Sequence, residues 1–211
     1  MSDVVRDLFD AIVSGDRDLV LSKVADALSD GLAPTLILDD GMIAAMAEVG
    51  DRFERGEFYI PEMLIASRAM QAGLATLKPH LIDANVESIG TVVAGTVRGD
   101  MHDIGKNLVV AMLKGAGFEI VDLGVDVAAD DFIEAVRSRP VDLVALSAML
   151  TTTMPQMERT IRALEAAGAR DGLKVMVGGA PVSKAYAKQI GADGYAPDAS
   201  RAVALARSLI E

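Results

Sequence analysis

Cysteine is missing from all 211 residues. Its absence excludes disulfides, thiolate metal sites, cysteine-bound iron–sulfur clusters and thiol nucleophiles together. Histidine is scarce, with two in the chain. Any metal must therefore be held by His, Asp, Glu or a group that brings its own ligands. Tryptophan is absent too, while eleven methionines supply adaptable apolar volume. Basic residues are outnumbered by acidic ones, 20 against 31, and the net charge is −11. A phosphate backbone would be repelled, and no basic patch offsets the balance, so nucleic acid is not an expected partner. Charges break every apolar run well before the roughly 18 residues of a membrane span, so a membrane is not expected either. The start, "MSDVVRDLFDAIVSGD", lacks the basic head and continuous apolar core of a signal peptide. A cytoplasmic location is the expectation.

What is present falls into two halves with different periods. Over residues 1–85 the pattern is helical only. Val5, Leu8, Phe9 and Ile12 share a helical face, and Leu19, Val20, Val24 and Leu28 repeat it. A third helix is predicted from Ala33 to Glu54, and a fourth from "YIPEML" until Pro79 stops or kinks it. Pro61 suits a first helical turn, and Glu62 favours its positive end. This predicts a four-helix bundle. "HLIDANVESIG", His80 to Gly90, reads as a linker. His80 itself reads as structural.

Over residues 90–211 short β-rich runs alternate with helical ones. The runs are "TVVAGTV", "FEIVDLG", "DLVALSA", "KVMVGGA" and "ADGYAPD". Helices fit near 104–116, 129–138, 155–168, 182–190 and 199–210. Strand–helix alternation with short connections predicts a five-stranded parallel sheet, a doubly wound, flavodoxin-like domain of Rossmann type. Ligands in such domains sit beyond the carboxyl ends of the strands. The unusual residues cluster there, in "RGDMHDIG", "LSAMLTTTM", "VGGAPVS" and "GYAPDAS".

In the first loop Asp100 and His102 are separated by one residue, so a carboxylate can fix one imidazole nitrogen and leave the other for a metal. One histidine cannot build a protein zinc site. It makes sense where a macrocycle supplies the other ligands. The same residues also read as an ordinary helix cap. Ser147, Thr151, Thr152 and Thr153 read as ligand donors or as caps. Gly178-Gly179 reads as a close backbone approach or a turn.

Together these segments resemble a known family. "DMHDIG", Asp100 to Gly105, resembles the D-x-H-x-x-G signature of cobalamin-binding domains. "SAML" resembles their S-x-L element, with Met149 in the Leu position, and Gly178-Gly179 resembles the final element. The helices before them look like the cap module of methyl-carrying corrinoid proteins. The resemblance implies cobalamin or a related corrinoid, such as methylcobalamin, with His102 as the lower ligand of cobalt in place of the cofactor's own base (base-off/His-on). It implies that Asp100 holds His102 and that Thr153 completes the relay, where the family usually has Ser. It implies cofactor contacts from Met101, Asp103, Ile104, Gly105, Ser147, Met149, Thr151, Gly178, Gly179, Tyr195, Ala196 and Asp198. Met42, Met46, Met63 and Met70 become candidates for shielding the upper, methyl-bearing face.

The implied function is a methyl carrier between a substrate-specific methyltransferase and an acceptor methyltransferase, with a reductive activator a further partner to consider. It implies no complete enzyme in this chain alone. The alternative is the small cobalamin-binding subunit of an adenosylcobalamin-dependent mutase. Such subunits typically lack the helical cap.

Overall fold

The computed structural model describes residues 2–84 and 88–210. Helix α1 spans Asp3–Ser14 and α2 spans Arg17–Ser29. The Ser2 hydroxyl accepts the Val5 N–H, and Asp16 accepts the Leu19 N–H, so each helix starts on a side-chain cap. The predicted third helix is one continuous helical stretch with a wide turn inside it. It comprises α3 (Pro34–Leu36), a π-helical segment (Ile37–Ile43) and α4 (Ala44–Glu54). The periodicity gave no sign of the π turn.

The last helix of this half, α5, spans Ile60–Asp83. Pro61 sits in its first turn, and the Glu62 carboxylate accepts the Tyr59 N–H at 2.9 Å. Pro79 does not stop it: the helix runs four residues further. Proline removes one backbone donor. Leu77 and Leu81, on either side of it, are both buried, and that apolar face continues across the proline. His80 to Asp83 therefore belong to α5 rather than to a linker. Residues 85–87 of the predicted linker lie outside the described residues. Met42, Met46, Met63 and Met70 are buried core side chains.

The second half alternates as predicted. Its elements are β1 (Thr91–Thr96), α6 (Ile104–Gly115), β2 (Glu119–Asp122), α7 (Ala129–Ser138) and β3 (Leu143–Ser147). They continue with α8 (Pro155–Ala166), β4 (Lys174–Gly178), α9 (Lys184–Gln189), β5 (Gly194–Tyr195) and α10 (Ala199–Ile210). All pairings are parallel, in the order β2-β1-β3-β4-β5. Residues of both parities are buried, Val93 and Val144 on one face, Val92 and Leu143 on the other. Both faces are thus covered, which a parallel sheet requires. Phe132 of α7 is wholly buried, and a Cβ at Gly95 would press into its ring. The glycine in mid-strand makes room for an aromatic worth about 3 kcal/mol of burial.

The chain divides into two compact units. One comprises Met1–Ser88 with Lys114–Gly117, the other Ile89–Leu113 with Phe118–Glu211. The strand order reverses direction between β1 and β3, the switch point at which open α/β sheets bind ligands. The loops leaving β1 and β3 at their carboxyl ends meet there.

Candidate functional site

Asp100 lies in the loop after β1 and is completely buried. A buried carboxylate is costly unless its oxygens are satisfied. Here Oδ1 accepts the backbone N–H of His102 at 3.1 Å and lies 2.9 Å from its Nδ1. Oδ2 accepts the Thr153 hydroxyl at 2.6 Å and the N–H groups of Met149 and Leu150 at 2.8 and 3.3 Å. The Thr153 hydroxyl also lies 2.9 Å from the Leu150 carbonyl. It has one proton, and the shorter, charge-assisted bond to the carboxylate takes it. None of Asp100's contacts is the start of α6, so the helix-cap reading of this residue is set aside.

Burial alone would raise the Asp100 pKa, but the Thr153 hydroxyl and the N–H groups of Met149 and His102 outweigh it. They hold the carboxyl well below the usual carboxylate range. An ionised carboxylate only accepts hydrogen bonds, so the proton of the 2.9 Å contact sits on Nδ1 of His102. In the neutral imidazole Nε2 then carries the lone pair. The His102 side chain is 54% exposed.

Around the imidazole the loops carry apolar side chains in the open. Met101 and Ile104 are 68% and 71% exposed; Met149 and Leu150, from the β3–α8 loop, are 48% and 42% exposed. Exposed apolar groups gathered beside a polar site mark a ligand surface. Leu150 carries no letter of the sequence signature. Only its exposure beside Met149 reveals it.

The remaining predicted residues divide. The sheet register places Thr96, Ser147 and Gly178 in one row at the carboxyl ends of β1, β3 and β4. Gly179 has φ 127°, and a Cβ there would overlap the Ala148 carbonyl oxygen, so only glycine fits. Gly105 is exposed, and a Cβ there would meet no atom within 4 Å. Asp103 is exposed and accepts the Asn107 side-chain amide at 3.0 Å, and Thr151 is exposed. Ala196 is buried, its carbonyl against Gly178. Tyr195 packs against the core below the rim. Asp198 accepts the Arg201 N–H at 2.8 Å, in the first turn of α10. These last two side chains already have structural work.

The family model for the B12 binding domain matches residues 90–204, and a second model of that description matches residues 4–78. The chain is 44% identical to the dimethylamine corrinoid protein of Methanosarcina barkeri, over 99% of this chain and 98% of that one. The chain belongs to the B12-binding corrinoid proteins. It is also 42% identical to trimethylamine corrinoid protein 2 of Methanosarcina acetivorans, over 95% of this chain and 94% of that one.

Among solved structures, a cobalamin-binding protein from Desulfitobacterium hafniense matches with a TM-score of 0.83 and 30% identity, each chain covered completely. The methanol:cobalamin methyltransferase complex MtaBC of Methanosarcina barkeri matches with a TM-score of 0.87 and 28% identity. That match covers 99% of this chain and 80% of the other.

The donor set fits a corrinoid. No group of three or more His, Asp or Glu that could hold a metal occurs among the described residues. His102 offers a single nitrogen, which suits a metal whose equatorial ligands come from a macrocycle. The apolar rim suits the face of such a ring, and the open space at Gly105 leaves room along the start of α6. Among the described residues no helix is long and apolar enough to cross a membrane.

Proposed function

We propose that this chain binds its corrinoid base-off/His-on and carries a methyl group from a substrate methyltransferase to a second, acceptor methyltransferase. The observation that carries the reading is the 2.9 Å contact between Asp100 and His102 Nδ1, with Asp100 buried and gripped by a second loop. When bound, the corrinoid supplies a cobalt centre that accepts a methyl group and gives it up again. Asp100 fixes the Nδ1–H tautomer and makes Nε2 a stronger donor.

Once a corrinoid covers them, Met101, Ile104, Met149 and Leu150 would exclude water from around the imidazole. Gly105 and the row of Ser147 and Gly178 leave space for the displaced nucleotide tail. The names of the similar proteins, dimethylamine and trimethylamine corrinoid proteins, favour a methylated amine as the donor's substrate.

The test is reconstitution. The cobalamin-loaded chain is mixed with methyltransferases for dimethylamine, trimethylamine or methanol, and transfer to a thiol or tetrahydrofolate acceptor is followed. Transfer with an amine methyltransferase that requires this chain is the expected result. No transfer with any of them, together with a substrate radical when adenosylcobalamin and a large mutase subunit are supplied, would overturn the reading.

A further inference from the structure

Asp126 belongs to no part of the cobalamin signature. It lies between β2 and α7 and is the one non-glycine residue among those described with a left-handed backbone, at φ 55°. Aspartate tolerates that conformation better than most residues, yet it remains uncommon. Strain of this kind persists where surrounding contacts demand it.

The contacts are specific. Asp126 Oδ1 accepts the Gly99 N–H at 2.6 Å, and the Asp126 N–H donates to the Asp100 carbonyl at 3.0 Å. One residue thus holds the 98–99 and the 100–101 peptide units, both just before His102. The same short segment also holds the chain after His102. Asp122 binds the buried Lys106 ammonium through both carboxylate oxygens, each at 2.7 Å. Between these anchors the Gly124 carbonyl accepts the Thr96 N–H at 3.0 Å, and the Thr96 hydroxyl donates to the His102 carbonyl at 2.9 Å.

These bonds have a different effect from the grip on Asp100. Thr153, Met149 and Leu150 orient the Asp100 side chain. Through that side chain they reach the His102 backbone only at its N–H. The backbone before and after it is tied to residues 122–126.

We propose that Asp126 is a positioning residue for the His102 imidazole, acting through the Gly99 and Asp100 peptides. The inference rests on the proposed ligation of cobalt by His102. Its bonds go to the Gly99 and Asp100 backbone rather than to the ring.

The test uses the full chain and two substitutions. Asp126→Gly keeps the left-handed backbone free of strain and deletes only the carboxylate. Asp126→Asn keeps an acceptor oxygen but weakens the bond to the Gly99 N–H, since charge-assisted bonds are about twice as strong as neutral ones. With cobalamin bound, nitrogen coupling in the Co(II) electron paramagnetic resonance spectrum reports His102 ligation. Without it, amide exchange at Gly99 and the nitrogen chemical shifts of the His102 ring report loop order and tautomer.

Asp126→Gly is expected to weaken ligation roughly tenfold, at the low end for partners outside the ligand itself. It should accelerate Gly99 exchange by at least about the same factor and mix the His102 tautomers. Asp126→Asn should move every readout the same way by less. If ligation, exchange and tautomer stay at wild-type values in both variants, the proposal is overturned. If the wild-type protein shows no imidazole coupling, the ligation reading fails by itself. The cofactor-free exchange and tautomer measurements then decide the positioning role alone.

Discussion

The Thr153 hydroxyl donates to Asp100 Oδ2 at 2.6 Å across 53 residues of chain. It joins the loop after β1 to the loop after β3 over the switch point of the sheet. Every donor that Oδ2 accepts comes from that second loop. The carboxylate that orients His102 is therefore itself oriented by a neighbouring strand's connection.

That bond gives a graded expectation. Thr153→Ser keeps the hydroxyl and should leave stability and His102 ligation near wild type. Thr153→Ala removes a donor to a buried, charged acceptor, and should cost about 1.5–3 kcal/mol. It should also raise the Asp100 pKa toward the usual range. Denaturant unfolding and carboxyl NMR titration of the cofactor-free protein read the two effects.

His102→Ala removes the proposed lower ligand together with the Nδ1–H that the buried Asp100 accepts. The nitrogen coupling of the Co(II) resonance spectrum should vanish, and the cofactor-free chain should lose about 1–3 kcal/mol of unfolding free energy, because one donor to a buried carboxylate is gone. An unchanged spectrum would remove His102 from the coordination sphere.

Asp100→Asn separates charge from shape. The wild-type carboxyl ionises more readily folded than unfolded. It therefore adds stability above the unfolded carboxylate range, near about pH 4, and that stability is lost as pH falls through the lower folded value. Asparagine has no such titration. The variant should be less stable than wild type at pH 7, and the gap should shrink on acidification from about pH 5 downward. Urea unfolding at a series of pH values gives the comparison. A gap that stays constant would show that Asp100 is not held ionised by the fold.

Two glycines should respond in opposite ways. Gly105 lies in α6 with open space at its Cβ position, so Gly105→Ala should stabilise the cofactor-free chain by up to about 1 kcal/mol. If that space receives the nucleotide tail, the same substitution should weaken cobalamin binding. Gly179→Ala meets the Ala148 carbonyl at a left-handed φ and should destabilise the chain by about 3 kcal/mol or more. Thermal unfolding without cofactor and cobalamin titration distinguish the two. Weaker unfolding resistance in Gly105→Ala would contradict the open-space reading.

Much of the architecture was legible in the sequence because it is encoded locally. A helical period in residues 1–85 and strand–helix alternation after residue 90 follow from which face of each element meets apolar neighbours. Parallel strands put every β–α loop on one rim, so "DMHDIG", "SAML" and the glycine pair could be placed on a common edge before any contact was known. The signature itself pointed to a corrinoid and to His102.

Other features depended on relations between distant segments. Pro79 reads as a helix end, yet the buried face through Leu77 and Leu81 continues past it. Asp198 and Tyr195 read as ligand contacts, and the structure adds a helix-turn bond for the one and a core contact for the other. Asp126 gave no signal, because its meaning lies in the Gly99 and Asp100 peptides that it holds. The sequence alone determined the class of fold and singled out His102 as the candidate ligand, since periodicity and motif are properties of neighbours along the chain. The grip of Thr153 on Asp100 and the brace from Asp126 were decided only by tertiary structure, since strand order and register choose which loops come within hydrogen-bonding distance.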